Sequence, residues 1–240
     1  MKNNWTGTGK KEIESWIQNK IDNLVSTLVA RVSPTSILIH GSFSHGEGSV
    51  YYRDNKFIVL GDFDISFLSH NNYSKKHIKE ISNKLSNEFG FPVNIYQNNP
   101  KRYLNPDEAN PRHRLDNPSI ETYSRKYGSK VIFGKDYLSL LPEINQKSIS
   151  IWEAQRLIFN RMGECLKFST TYKKNLDKNY NLFRTYELYK LVISTLESFL
   201  VVNNLYHFSH KKQLTIWSEN SKIFEEILKK LPFYNDLIKE

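Results

Sequence analysis

Cysteine is almost absent. Cys165 is the only one in 240 residues, which excludes an internal disulfide and suits a reducing compartment. It falls at an apolar helix position, where a thiol is more often buried than reactive. Long apolar runs are also lacking. Even residues 191–202 are broken by Ser194, Thr195, Glu197 and Ser198, so no segment reaches the roughly 18 apolar residues of a membrane-spanning helix. Met1-Lys2-Asn3-Asn4-Trp5 contains no apolar signal core, and a cytoplasmic protein without membrane contact is expected. The chain has no zinc-ligand spacing, dinucleotide fingerprint or internal repeat, and its seven histidines are scattered. Those absences set aside zinc-finger, Rossmann-type and solenoid readings.

With 39% hydrophobic and 25% charged residues, the composition is that of a soluble globular protein. Its length allows one large or two small domains. The net charge of +9 favours anionic partners: a nucleotide, a nucleic acid or an acidic protein surface. Lysine is spread along the whole chain and marks no particular patch.

The chain is organised around residues 36–68. Ser36-Ile37-Leu38-Ile39-His40 reads as a strand, Gly41-Ser42 as a tight turn opening a short helix, and Asp62 to Leu68 as a second strand. Side chains alternate along a strand, so Asp62 and Asp64 share one face while Phe63, Ile65 and Phe67 share the other. The two carboxylates then stand roughly 6–7 Å apart at the backbone. Like charges at that separation raise each other's pKa unless a cation sits between them, and Asp oxygens suit Mg²⁺. Backbone N–H groups and a small hydroxyl at Gly41-Ser42 can hold a phosphate. Either feature alone is common on solvated strands and turns. Their order suggests a nucleotide site.

The segments His40-Gly41-Ser42-Phe43-Ser44-His45-Gly46-Glu47-Gly48 and Gly61-Asp62-Phe63-Asp64-Ile65 resemble the signature of the nucleotidyltransferase superfamily with the DNA polymerase β-like fold. That signature is apolar-Gly-Ser, a spacer, then Asp-x-Asp on the next strand. The spacer is longer here than the family's usual one. Two aromatic and β-branched runs flanking Arg53-Asp54-Asn55-Lys56 account for the excess as an inserted hairpin. Many small members carry Arg where this chain has His45, which becomes the candidate positive group near the phosphates. The third metal-binding carboxylate of the family comes from a later strand, and its counterpart within Phe91-Pro92-Val93-Asn94-Ile95-Tyr96 is the neutral Asn94.

The remaining segments fit around this core. Ile13, Trp16, Ile17, Ile21, Leu24, Val25, Leu28 and Val29 give one apolar face at a helical period, ended by Ser33-Pro34. This helix is expected to cover the sheet. Ile78, Ile81, Leu85 and Phe89 mark another, ended by Gly90. Residues 97–119 hold four prolines and read as a long loop whose basic group is Arg102, Arg112, His113 and Arg114. A strand at Val131-Ile132-Phe133-Gly134 resembles the closing strand of small nucleotidyltransferase domains. From Ile151 onward the period is helical: Ile151, Ala154, Ile158, Met162, Cys165 and Leu166 share one face. Leu188, Leu191, Val192, Thr195, Leu196, Phe199 and Leu200 share another. Residues 173–180 connect these helices, and a last helix is expected over 220–231.

The expected fold class is α+β: a mixed-sheet nucleotidyltransferase domain over residues 1–145, then a helical bundle over 146–240. The resemblance implies transfer of an NMP from an NTP to a hydroxyl of a small molecule or protein, with release of pyrophosphate. Asp62 and Asp64 would be catalytic and hold Mg²⁺ or Mn²⁺, with Asn94 as third ligand. Gly41, Ser42, His45 and Lys190 would bind the nucleotide, with Arg161 a second helical cation to weigh and Glu153 or Glu187 as base. The charge allows a nucleic-acid partner without favouring one, and the sequence leaves the oligomeric state open. A protein that keeps the fold without catalysis is the alternative, because Asn94 supplies neither charge nor proton acceptance. A nucleic-acid-binding module driven by charge is a third.

Overall fold

A computed structural model describes residues 4–105, 118–171, 180–220 and 222. The elements in chain order are α1 (Lys11–Val32), β1 (Ser36–His40), α2 (Gly41–Ser44), β2 (Val50–Arg53), β3 (Lys56–Val59), β4 (Phe63–Leu68), α3 (Lys75–Phe89), β5 (Val93–Asn98) and α4 (Pro100–Leu104). They continue with α5 (Ile120–Gly128), β6 (Lys130–Gly134), a 3₁₀ turn at Gln146–Ser148, α6 (Ile151–Thr171), α7 (Tyr180–Val202) and α8 (His210–Glu219). The architecture is the expected α+β one, a mixed sheet followed by helices.

Four strands form the main sheet in the order β5-β4-β1-β6. β1 pairs antiparallel with both β4 and β6, while β4 and β5 run parallel through the α3 crossover. Alternation along β1 and β4 sends Ile37, Ile39, Phe63, Ile65 and Phe67 to one face. There they pack with Ile17, Ile21, Leu24 and Leu28 of α1 and with Ile81 and Leu85 of α3 in one buried core. Helix α1 thus covers the sheet as its periodicity predicts. The opposite face carries a smaller core, in which Leu38 and Leu68 meet Tyr103, Tyr137, Leu138 and Leu141. Beyond that core, the same face presents polar side chains.

Local chemistry sets the boundaries. Ser74 caps α3 by accepting from the His77 N–H, and Gly90 ends it at φ +80°, donating to Ser86 O. Glycine takes that left-handed geometry at the least cost. The long spacer is the hairpin β2–β3: Asp54 and Asn55, at φ +51° and +57°, form its two-residue turn, as the right-handed strand twist requires. Pro100 begins α4 behind an Asn99 cap, so the loop read over 97–119 starts with strand and helix. Residues 106–117, with Arg112, His113 and Arg114, lie outside the described residues. So do the connection at 172–179, most of the helix read over 220–231, and the Cys165 side chain.

The paired helices α6 and α7 differ most from the sequence reading. Ala154, Leu196 and Leu200 are buried, but Ile151, Met162, Leu188 and Val192 of the predicted faces are exposed, with Trp152 at 72% and Phe159 at 69%. The apolar sets are wider than the contact between two helices can cover. Buried Tyr206 joins this part to α5 by an edge-on contact with Tyr123 and a 2.9 Å hydrogen bond with Ser124.

Candidate active site

The polar end of the sheet brings three of the candidate side chains together. Asp62 precedes β4, Asp64 lies within it opposite Asn94 of β5 in the parallel register, and the Asn94 amide donates to both. Its Nδ2 lies 2.7 Å from Asp62 Oδ2 and 3.1 Å from Asp64 Oδ1. Burial and then the Asp62 charge raise Asp64 to about 6, against the Asn94 hydrogen bond and the Lys190 charge, which pull it down. Two carboxylates are held together here at an electrostatic cost.

Gly41 follows β1 directly and stands beside this pair. Its φ is +68°, and a Cβ there would lie 3.6 Å from Asp64 Oδ2. A side chain is therefore resisted by backbone strain of about 1–2 kcal/mol rather than by lack of space. Phe43 anchors the short helix edge-on against Phe63, ring centroids 4.7 Å apart. Ser44 Oγ donates to the Gly41 and Gly128 carbonyls, tying the turn to α5. Ser42 lies in this anchored turn, half-exposed.

Helix α7 contributes from far along the chain. A Cβ at position 61 would sit 3.1 Å from Tyr186 Oη, so the phenol overlies the backbone next to Asp62. Burial and then the Asp62 charge push Tyr186 up to about 12. Lys190 Nζ sits 4.5 Å from the Tyr186 ring centroid and 3.5 Å from Glu187 Oε1. The sequence reading missed Tyr186, because an aromatic in a helical run carries no signal separating a site residue from a core one.

Other candidates are held elsewhere. His45 is not brought to the carboxylates: its ring packs on Gly128 and on Phe208, centroids 5.0 Å apart, with its buried Nε2 unpartnered among the described residues. Glu153 accepts from Arg156 at 2.7 and 3.0 Å and from the Ile120 N–H at 3.1 Å, a cap on α5. Arg161 donates to Ser194 Oγ at 3.2 Å and links α6 to α7. No helix among the described residues is long and apolar enough to cross a membrane.

No family model and no curated protein matches the chain. Several solved structures align with the chain. A chain from a toxin–antitoxin complex with AMP-PNP is 16% identical, with a TM-score of 0.34, over 60% of this chain and 93% of that one. A mutant MntA-HpeT toxin–antitoxin structure gives 9% identity and a TM-score of 0.32 over 87% of this chain and 98% of that one. A tri-AMPylated Shewanella oneidensis HEPN toxin in complex with MNT antitoxin gives 15% identity and 0.31, over 61% and 92%.

Proposed function

We propose that the chain is a nucleotidyltransferase that moves an NMP from an NTP to an acceptor hydroxyl, a small-molecule or protein group, and releases pyrophosphate. The observation that carries this reading is the single Asn94 amide spanning the Asp62 and Asp64 carboxylates at 2.7 and 3.1 Å, beside the Gly41 turn. Two half-buried carboxylates converging on one point make a seat for a hard cation. Mg²⁺ commonly takes one or two carboxylates and completes its shell with phosphate and water oxygens. The two carboxylates fit one such ion, Mg²⁺ or Mn²⁺; Asn94 would join them as a neutral ligand only with its amide turned over, so that the carbonyl oxygen replaces the Nδ2 that now donates to both. When bound, the ion supplies positive charge against the phosphates.

The protein's own groups have separate parts in this proposal. Gly41 and Ser42 offer a backbone N–H and a hydroxyl to the β/γ end of the triphosphate. Lys190 brings a fixed cation from the helical part, where it opposes charge developing on the leaving pyrophosphate. The division into 1–145 and 146–240 is the frame of this reading, with the nucleotide bound between the carboxylate pair and α7. His45 has no part in it.

Asn94 also favours a second reading, a nucleotide-binding protein without turnover, because an amide cannot accept the acceptor's proton. Both readings are tested by pyrophosphate release from each of the four NTPs, with Mg²⁺ or Mn²⁺ and cell extract as acceptor, in the native chain and Asp62→Asn. Metal-dependent release that disappears in the variant is expected. Metal-dependent NTP binding without release would favour the second reading, and release unchanged by the substitution would sink the assignment.

A further inference from the structure

A cavity of about 850 Å³ opens along β5, the outer strand of the main sheet. Its volume lies in the range of roughly 300–1,000 Å³ common to small-molecule sites. Asn94 lines it and at the same time donates to Asp62 and Asp64, so the cavity begins where the carboxylate pair ends. Tyr96, two residues along the same strand face, is 52% exposed at its wall. Burial and then the charges of Asp64 and Asp62 raise its phenol.

Among the described residues the wall carries charge of one sign. Lys75 and Lys79, one turn apart on α3, and Arg102 on α4 line it, and none has an ion-pair partner among the described residues. Arg125, a fourth cation, is held by Glu121 at 3.1 Å. No Asp or Glu lines the cavity among the described residues. Cations without carboxylates select an anion, and the Arg fork with a Lys pair suits phosphate oxygens. An amine-bearing acceptor would meet like charge there. The side-chain amides of Asn72 and Asn98, also at the wall, have no hydrogen-bond partner among the described residues. Free amides both donate and accept, which is what sugar hydroxyls require, and the open Tyr96 ring offers a flat apolar surface for a sugar ring.

We propose that this cavity seats the acceptor and that the acceptor is a small phosphorylated sugar. The inference rests on the nucleotidyl-transfer reading above. In the step so assigned, a sugar hydroxyl oxygen bonds to the α-phosphorus of the NTP. The bond from that phosphorus to the oxygen bridging toward the β-phosphorus breaks. Pyrophosphate leaves with the electron pair, and the hydroxyl proton passes to solvent.

The test titrates the full chain with D-glucose 6-phosphate, D-glucose and D-glucosamine by calorimetry, and separately with each NTP plus Mg²⁺ as the readout of the carboxylate pair. Glucose 6-phosphate is expected to bind at least about tenfold more tightly than either other sugar. The double variant Lys79→Glu/Arg102→Glu is expected to lose at least about tenfold of that affinity while keeping its NTP affinity and its melting temperature. Equal binding of the three sugars, no binding of glucose 6-phosphate, or an unaffected variant would overturn the proposal. Displacement of glucose 6-phosphate by an octa-adenylate RNA, with affinity falling steeply with salt, would overturn it in favour of a nucleic-acid acceptor. Failure of NTP binding with the sugar-phosphate preference intact would instead sink nucleotidyl transfer, so the two failures are told apart.

Discussion

Glu47, five residues after Ser42, accepts the backbone N–H of His210 at 3.0 Å across 163 residues of sequence. It also accepts from the Lys211 N–H at 3.2 Å and from Ser209 Oγ. A carboxylate close behind the Gly41-Ser42 turn therefore caps α8, complementing the unpaired N–H groups and the positive end of the helix dipole. The His210 ring lies between Glu47 and Glu197, at 3.9 and 3.6 Å. Burial pulls its pKa down, but the hydrogen bond and charge of Glu197 and the charge of Glu47 more than offset this, and the net shift is upward.

Removing that cap should loosen the link between the turn and the helical part. Glu47→Ala is expected to lower stability by about 1–2 kcal/mol, the usual worth of a capping side chain. The loss should concentrate at the first turn of α8 as faster amide exchange at His210 and Lys211. Urea denaturation with hydrogen-exchange mass spectrometry checks it. An unchanged midpoint with unchanged exchange would mean that α8 holds its place without Glu47.

Asp64 should trade stability for function. In the metal-free protein its folded pKa of about 6 lies above the ordinary value for an aspartate, so the native state binds the proton more tightly than the unfolded chain. Its contribution is therefore favourable below about pH 4 and is lost as pH rises toward 6. Above pH 6, Asp64→Asn is expected to be more stable than the native chain by up to about 3 kcal/mol, while losing metal-dependent NTP binding. Melting temperatures at pH 5 and pH 8 with EDTA test the sign: a variant less stable than native at pH 8 contradicts it.

Two histidines act in the opposite direction. Burial, then the charges of Arg125 and His45, lower His40 to about 3, and burial lowers His45 to about 4 despite the opposing Glu47 charge. The His40 Nδ1 bond with Ser129 Oγ at 2.6 Å suits a neutral ring. Both are uncharged in the fold, so stability is fully present above pH 6.5. It is lost as pH falls toward 4, because the unfolded chain takes up protons that the native state refuses. The two together cost roughly 4–8 kcal/mol by pH 4, against the roughly 3 kcal/mol returned by Asp64. Acid destabilisation should win. The melting temperature is expected to fall between pH 6.5 and 4, and NMR should find both rings unprotonated at pH 5.5. Protonation of either with a midpoint above 6 would remove the cause.

Much of the site's frame was legible locally. Alternation along residues 62–68 separates Asp62 and Asp64 from Phe63, Ile65 and Phe67, and Asp54-Asn55 marks its turn through its tolerance of positive φ. What was not legible depends on partners distant in the chain. Trp5 has no periodic apolar neighbours, yet it is buried, its indole N–H donating to Gln18 and its backbone N–H to Glu14. Glu47 looked like any polar loop residue because its helix lies more than 160 positions away. The family resemblance that offered His45 as a phosphate ligand could not reveal that its ring turns toward Gly128 and Phe208.

The amide at position 94 invites the most direct intervention. Asn94→Asp would bring a third carboxylate to the point where Nδ2 now reaches Asp62 Oδ2 and Asp64 Oδ1, exchanging a donor for a like charge. Without metal, repulsion should raise the pKa of the cluster and destabilise the variant by about 1–3 kcal/mol at pH 8. With Mg²⁺ the order should reverse, since a third anionic oxygen neutralises the ion more fully. Its affinity is expected to rise by about tenfold or more, seen as a larger Mg²⁺-induced gain in melting temperature. If the native chain binds NTP without turnover, release of pyrophosphate by this variant would identify proton acceptance at position 94 as the missing function. If Mg²⁺ affects native and variant alike, position 94 lies outside the metal's reach, and the Asp62–Asp64 pair must bind without it.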